Sequence, residues 1–64
     1  MTTKQVQLLL SYLGYDPGVI DGIMGANTRA AIREFQSNAK ISADGIPGPV
    51  TYASLKKAVT SDDF

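Results

Sequence analysis

Apolar residues recur at helical spacing in three segments of the chain. The first segment shows an i, i+3, i+4, i+7 pattern made of Val6, Leu9, Leu10 and Leu13. This pattern predicts a helix over about 3–13. Thr2 and Gln5 have the spacing of a capping box at its start. Gly14 is expected to end it, because glycine adopts the left-handed conformation without steric cost.

The second and third segments predict two further helices. The second helix is expected from about Ala26 to Asn38, with a core stripe of Thr28, Ala31, Ile32 and Phe35. The third is expected to begin at Pro49, whose missing N–H would be unpaired at that position. Its stripe consists of Thr51 or Tyr52, Leu55, Ala58 and Val59.

An internal repeat precedes the second and third helices. The pattern D-G-I-x-G-x-x-T occurs at 21–28 and again at 44–51. Each Asp can accept hydrogen bonds from the following turn, and the first Gly permits that turn. We expect Ile23 and Ile46 to point inward as apolar anchors. The predicted structural motif consists of Asp21, Gly22, Gly25, Thr28, Asp44, Gly45, Gly48 and Thr51.

The two acidic residues of the repeat also permit a catalytic interpretation. Asp21 and Asp44 could form a carboxylate pair of the kind that glycosidases use. Both occupy the same position in a turn, however, where an Asp has a structural role without any chemistry. We therefore predict no catalytic residue.

Composition limits the other functions. The chain has 64 residues, so we expect one domain over 1–64, with its core at about 3–59 and a flexible tail or linker at 60–64. Cys and His are absent, which argues against disulfides, a structural zinc, a cofactor or a histidine general base. The formal charge is zero, which argues against nucleic acid binding. No apolar run is long enough for a membrane span, and the N-terminus lacks the cleavage site of a signal peptide.

With these residues in view, the chain resembles the type-1 peptidoglycan-binding domain family. The family pattern LQxxLxxLGY corresponds to 6–15, and DGxFGxxTxxAVxxFQ corresponds to 21–36. The third block, GLxxDGxxGxxTxxxL, corresponds to 40–55. The resemblance covers about residues 3–59, and two DGxxG motifs with LGY before them and FQ between them make it specific.

The resemblance implies an all-α fold, a small three-helix bundle with two repeated DGxxGxxT turn–helix units. It implies a non-catalytic, carbohydrate-binding module at the bacterial cell wall. Such modules anchor a cell-wall hydrolase or a bacteriophage endolysin to peptidoglycan. A fused or associated hydrolase domain is the implied partner, and we expect a monomer that is phage-encoded or an excised domain.

The chain departs from the family pattern at three points. Lys40 stands where the family usually has Gly after the second helix, so we expect a local difference in that turn. Met24 replaces the common Phe and keeps an apolar filler. Leu8 and Tyr12, four residues apart, make a second stripe on the first helix that is expected to face solvent.

Peptidoglycan offers acetylated amino sugars and short peptides with carboxylates and amides. A site for it needs an aromatic surface, amide or hydroxyl groups and an arginine. The candidate ligand-binding residues are Tyr12, Tyr15, Arg29, Arg33, Gln36, Asn38 and Tyr52. Each has a structural alternative: Tyr15 can pack over the bundle end, Gln36 can bond a neighbouring turn, and the arginines can form a solvated helix face.

Two other functions compete with wall binding. A small stand-alone hydrolase would need a substrate cleft, for which so short a chain leaves little room. A protein-docking scaffold of the same fold could use Leu8 and Tyr12 and would not need to bind the wall at all.

Overall fold

The computed structural model describes residues 1–61 and contains three helices within them, without strands. They are α1 (Thr3–Tyr12), α2 (Ala26–Asn38) and α3 (Pro49–Ser61). Helix α1 packs against both of the others. The predicted all-α three-helix bundle is confirmed, and α2 and α3 begin at the predicted residues.

Helix α3 extends further than the sequence indicates. Thr60 and Ser61, which the sequence assigns to a tail, belong to the helix. The Thr60 hydroxyl donates a 2.7 Å hydrogen bond to the Lys56 carbonyl, one turn earlier. The rest of the predicted tail, 62–64, lies outside the described residues.

One apolar cluster joins the three helices. Its buried members are Val6, Leu10, Ala31, Ile32, Phe35 and Leu55. Leu9, Leu13, Met24, Tyr52 and Ala58 are half-buried against it. The predicted stripes are therefore confirmed except at Val59, which is half-buried but does not belong to this cluster. Burial of a large aliphatic or aromatic side chain contributes about 1.5–3 kcal/mol, so this cluster supplies most of the drive to fold.

Helix α1 has defined caps at both ends. At its start, Thr2 and Gln5 form the predicted capping box, with hydrogen bonds of 2.8 and 3.2 Å. At its end, Gly14 has φ +96° and the Tyr15 N–H donates to the Leu10 carbonyl at 2.9 Å. This is a Schellman motif, which satisfies carbonyls that a helix end leaves without partners.

Helix α2 ends in the same motif, although a lysine occupies the left-handed position. Lys40 has φ +60° and its N–H donates to the Ser37 carbonyl at 3.2 Å. The Ile41 N–H donates to the Gln36 carbonyl at 3.1 Å. The expected local difference is therefore absent: the backbone keeps the cap, and Lys40 bears the steric cost of a left-handed residue with a Cβ.

Replacing Lys40 by Gly should stabilise the protein. The left-handed conformation costs glycine nothing in contacts, and the gain is partly offset by glycine's greater freedom when unfolded. We expect the free energy of unfolding to rise by about 0.5–1 kcal/mol in urea denaturation. Lys40→Ala is the matched control, because it removes the charge but keeps the Cβ. An equal gain in both variants would contradict the backbone explanation.

Candidate functional site

A buried glutamine of α1 holds the turn that precedes α2. Gln7 is fully buried, and its Oε1 accepts the Gly22 N–H at 2.8 Å. Its Nε2 donates to the Ile23 carbonyl at 3.0 Å and to the Thr28 hydroxyl at 3.1 Å. Nε2 also lies 3.4 Å from Oδ1 of Asp21, which accepts the Ile23 N–H at 2.9 Å. One amide thus joins α1, the turn and the first helical turn of α2.

A second glutamine, in α2, holds the turn before α3 through the same set of contacts. Gln36 is 1% exposed, and its Oε1 accepts the Gly45 N–H at 2.8 Å. The two protons of its Nε2 are shared among three acceptors: Oδ1 of Asp44 at 2.9 Å, the Ile46 carbonyl at 3.1 Å and the Thr51 hydroxyl at 2.9 Å. Oδ1 of Asp44 accepts the Ile46 N–H at 2.9 Å. We call these two arrangements the glutamine-locked turns.

The isoleucines of the locked turns do not behave as predicted. Ile23 and Ile46 are 67% and 66% exposed, so their assignment as inward apolar anchors is wrong. In each turn the isoleucine N–H donates to the aspartate carboxylate, and the isoleucine carbonyl accepts from the glutamine amide. Because the backbone faces the interior, the side chain is directed to solvent.

The two aspartates serve the turns as hydrogen-bond acceptors, as the repeat predicts. The hydrogen bond from the Ile23 N–H lowers the pKa of Asp21 below its usual range, and the hydrogen bond from the Gln7 amide lowers it further by a smaller amount. The Ile46 N–H, followed by the Gln36 amide, does the same to the pKa of Asp44. Carboxyl groups held in the ionised form are poor general acids at neutral pH, so the geometry favours the structural role over a catalytic pair.

Gln7 was not singled out from the sequence, and Gln36 was placed among the candidate ligand residues, with bonding to a neighbouring turn as its structural alternative. Both residues lie on the buried faces of their helices, where an amide is expensive to bury without partners. A signal was available, since each DG turn is preceded by a helix in which a glutamine directly follows an apolar core residue: Gln7 follows Val6, and Gln36 follows Phe35. The Gln36 amide makes its hydrogen bonds within the turn before α3, as the structural alternative for this residue predicts.

The remaining ligand candidates do not converge on a single site. Arg29 and Arg33 are exposed on α2, and the Arg33 guanidinium lies over Gly45, where an added Cβ would come within 3.3 Å of it. Tyr52 is half-buried against the core. Tyr12 is 65% exposed on α1.

Tyr15 and Asn38 do come together, although they are far apart in sequence. The Tyr15 ring packs edge-on against Phe35, with centroids 5.8 Å apart and planes at 87°. Its hydroxyl accepts a 2.9 Å hydrogen bond from Nδ2 of Asn38. They line a cavity of about 360 Å³ open to solvent, here called the Tyr15–Asn38 groove, together with Phe35, Ala39, Ser54, Lys57 and Ala58.

A second surface depression lies on α1. It measures about 410 Å³ and is lined by Met1, Gln5, Leu8 and Leu9. Leu8 is 50% exposed and Tyr12, one turn further along, is 65% exposed. The prediction that this stripe faces solvent is confirmed. Within residues 1–61, none of the helices combines the length and hydropathy that crossing a bilayer requires.

Comparison with known proteins connects this fold to cell-wall enzymes. A model of the family described as "Putative peptidoglycan binding domain" matches residues 2–55. The spore cortex-lytic enzyme of Oceanobacillus iheyensis is 38% identical over 58 residues, which are 91% of this chain and 21% of that protein. The zinc D-Ala-D-Ala carboxypeptidase of Streptomyces albus G is 39% identical over 61 residues, 88% of this chain and 24% of that protein.

A third relative extends this pattern. The N-acetylmuramoyl-L-alanine amidase CwlM of Mycobacterium tuberculosis is 40% identical over 50 residues, 78% of this chain and 12% of that protein. The chain thus spans a quarter or less of the length of each of these three relatives. No solved structure matches it significantly.

Removing one locking amide should destabilise the protein strongly. Gln36→Ala leaves the Gly45 N–H and the Ile46 carbonyl without their partner, and a buried unpaired group costs about 1–3 kcal/mol. We expect a loss of at least about 2 kcal/mol in urea denaturation. Gln5→Ala is the matched control, because it removes an exposed capping amide and should cost less than about 1 kcal/mol. Equal losses would contradict the proposed importance of the locked turns.

Stability should fall in acid because of the two turn aspartates. Their pKa values are lower in the folded state than in the unfolded chain. As the pH falls towards the ordinary pKa of an aspartate, the unfolded chain therefore binds more protons than the folded protein. We expect their contribution to be complete above about pH 5 and to be lost as the pH falls through the folded-state pKa values, below about 4. Denaturation between about pH 7 and about pH 3 tests this. A variant carrying Asp21→Asn and Asp44→Asn should lose less stability over that range, and an unchanged pH dependence would refute the assignment.

Proposed function

This chain belongs to the peptidoglycan-binding domain family, and we propose that it binds bacterial peptidoglycan without cutting it. We further propose that it anchors a cell-wall hydrolase to its substrate. The observation that carries the proposal is the family match over residues 2–55, which includes both locked turns. The groove-forming residues Tyr15 and Asn38 lie within the same span.

The relatives support an association with wall enzymes. Two of them are named for D-Ala-D-Ala and N-acetylmuramoyl-L-alanine, which are constituents of peptidoglycan. The chain matches only a small part of each relative, so catalysis can reside in the remainder of such proteins while this unit binds. A bacterial hydrolase or a phage endolysin would suit this role, and either would bring the module to the cell wall.

The side chains present favour binding over catalysis. The turn aspartates are engaged by backbone N–H groups and by the glutamine amides. The Tyr15–Asn38 groove presents hydroxyl and amide groups, which suit the recognition of sugars and peptides. A shallow groove gives weak binding, but a polymer offers many neighbouring copies of the same site, and linkage to a second domain raises the effective concentration.

Protein docking is the second candidate function. It is favoured by the exposure of Leu8 and Tyr12 beside the depression on α1. The two functions use different surfaces, so one experiment can separate them.

We expect the folded chain to co-sediment with purified sacculi, with a dissociation constant in the micromolar to millimolar range, about −8 to −4 kcal/mol. It should not reduce the turbidity of the suspension. Asn38→Ala should lower the bound fraction because it removes the amide at the groove. Asn27→Ala, the same change at the exposed start of α2, should leave binding unchanged.

Three results would count against this assignment. If the parent chain stays in the supernatant with sacculi of several wall types, wall binding fails and the docking function is preferred. If Leu8→Ser abolishes sedimentation while Asn38→Ala does not, the binding surface is on α1. Loss of turbidity would show catalysis.

A further inference from the structure

We infer that the Tyr15–Asn38 groove recognises the acetamido group of an N-acetylated sugar. This inference rests on the proposed function, and it names the part of the peptidoglycan that the groove contacts. It follows from three properties of the groove: a paired donor and acceptor, an apolar wall beside them, and a fixed position of the Tyr15 ring and of the backbone at Asn38.

The hydrogen-bonding groups of the groove are only partly used within the protein. The Tyr15 hydroxyl accepts from Nδ2 of Asn38, which leaves its own proton to be donated. Within residues 1–61, Oδ1 of Asn38 and the Tyr15 hydroxyl proton have no other hydrogen-bond partner. Rotating the amide by 180° exchanges the roles of the two residues, so the pair offers one donor and one acceptor in either orientation.

Apolar groups lie beside this pair. Ala39, Ala58 and the ring of Phe35 line the same cavity, which measures about 360 Å³. An acetamido group carries an N–H donor, a carbonyl acceptor and a terminal methyl group. The groove has a partner for each: the Asn38 carbonyl, the Tyr15 hydroxyl and the apolar wall. A plain sugar hydroxyl would leave the apolar wall unused.

The Tyr15 ring and the backbone at Asn38 are held in place, which lowers the entropy lost on binding. Tyr15 is fixed by the Schellman motif at the end of α1 and by its edge-on contact with Phe35. Asn38 is the last residue of α2. Its neighbour Ala39 donates to the Phe35 carbonyl at 2.8 Å, which fixes the backbone beside it.

The test uses the full 64-residue chain and defined oligosaccharides. The probes are the tetramer of N-acetylglucosamine, its fully de-N-acetylated glucosamine counterpart and a synthetic stem pentapeptide. Binding is followed by two-dimensional ¹H–¹⁵N NMR titration. We expect the acetylated tetramer to shift the resonances of Tyr15, Asn38 and Ala58. The glucosamine tetramer should bind at least about tenfold more weakly, because it lacks the carbonyl and the methyl group.

Matched tyrosine variants separate recognition from packing. Tyr15→Phe keeps the ring against Phe35 and removes only the hydroxyl, so it should weaken binding of the acetylated tetramer severalfold while the melting temperature changes little. Tyr12→Phe makes the same change on the exposed face of α1 and should have no effect.

The outcomes distinguish this inference from the function on which it rests. If sacculi bind but the two tetramers bind equally, or only the stem peptide binds, the acetamido assignment is overturned and wall binding stands. Shifts confined to residues around Leu8 would also overturn it. If sacculi do not bind at all, the proposed function itself fails.

Discussion

Two buried glutamine amides determine how the chain passes from one helix to the next. The apolar cluster drives compaction, but the hydrophobic effect has no direction and does not specify the path of a turn. Gln7 and Gln36 supply that direction, because each primary amide bonds one N–H and one carbonyl of the turn that aims the following helix. A small domain has only a narrow margin of stability, so a buried unpaired amide or peptide group would consume much of it.

This dependence explains which features the sequence predicts well. Helix limits and the capping box at Thr2 arise from local rules, since the partners lie within one helical turn. The core stripes follow from the helical spacing of apolar residues along each segment. The role of Asp21 and Asp44 is local too, because each accepts the N–H of the residue two positions ahead. These properties could be predicted because each leaves a pattern within a short stretch of the sequence.

Features that depend on a partner far away in the sequence are harder to predict. Gln36 has the chemistry of a ligand residue, and only its contacts with Gly45 and Thr51 reveal that its amide is used by the fold. Ile23 and Ile46 are apolar, but hydropathy does not record that their backbones face the interior. The meeting of Tyr15 with Asn38 likewise depends on the packing of α1 against α2, so the sequence identifies both residues but not their contact.

Some polar side chains use their hydrogen-bonding groups within the fold, and others keep groups that a ligand can contact. The turn carboxylates and the glutamine amides satisfy one another and the backbone, so within residues 1–61 no buried side-chain polar atom lacks a partner. The Tyr15–Asn38 groove retains one hydroxyl proton and one amide carbonyl, and its lining also includes small apolar side chains, Ser54 and Lys57. Such groups can orient and hold a ligand through hydrogen bonds and apolar contact. The proposed function requires position rather than chemistry, and a modest affinity would suffice for it because peptidoglycan is a repeating polymer.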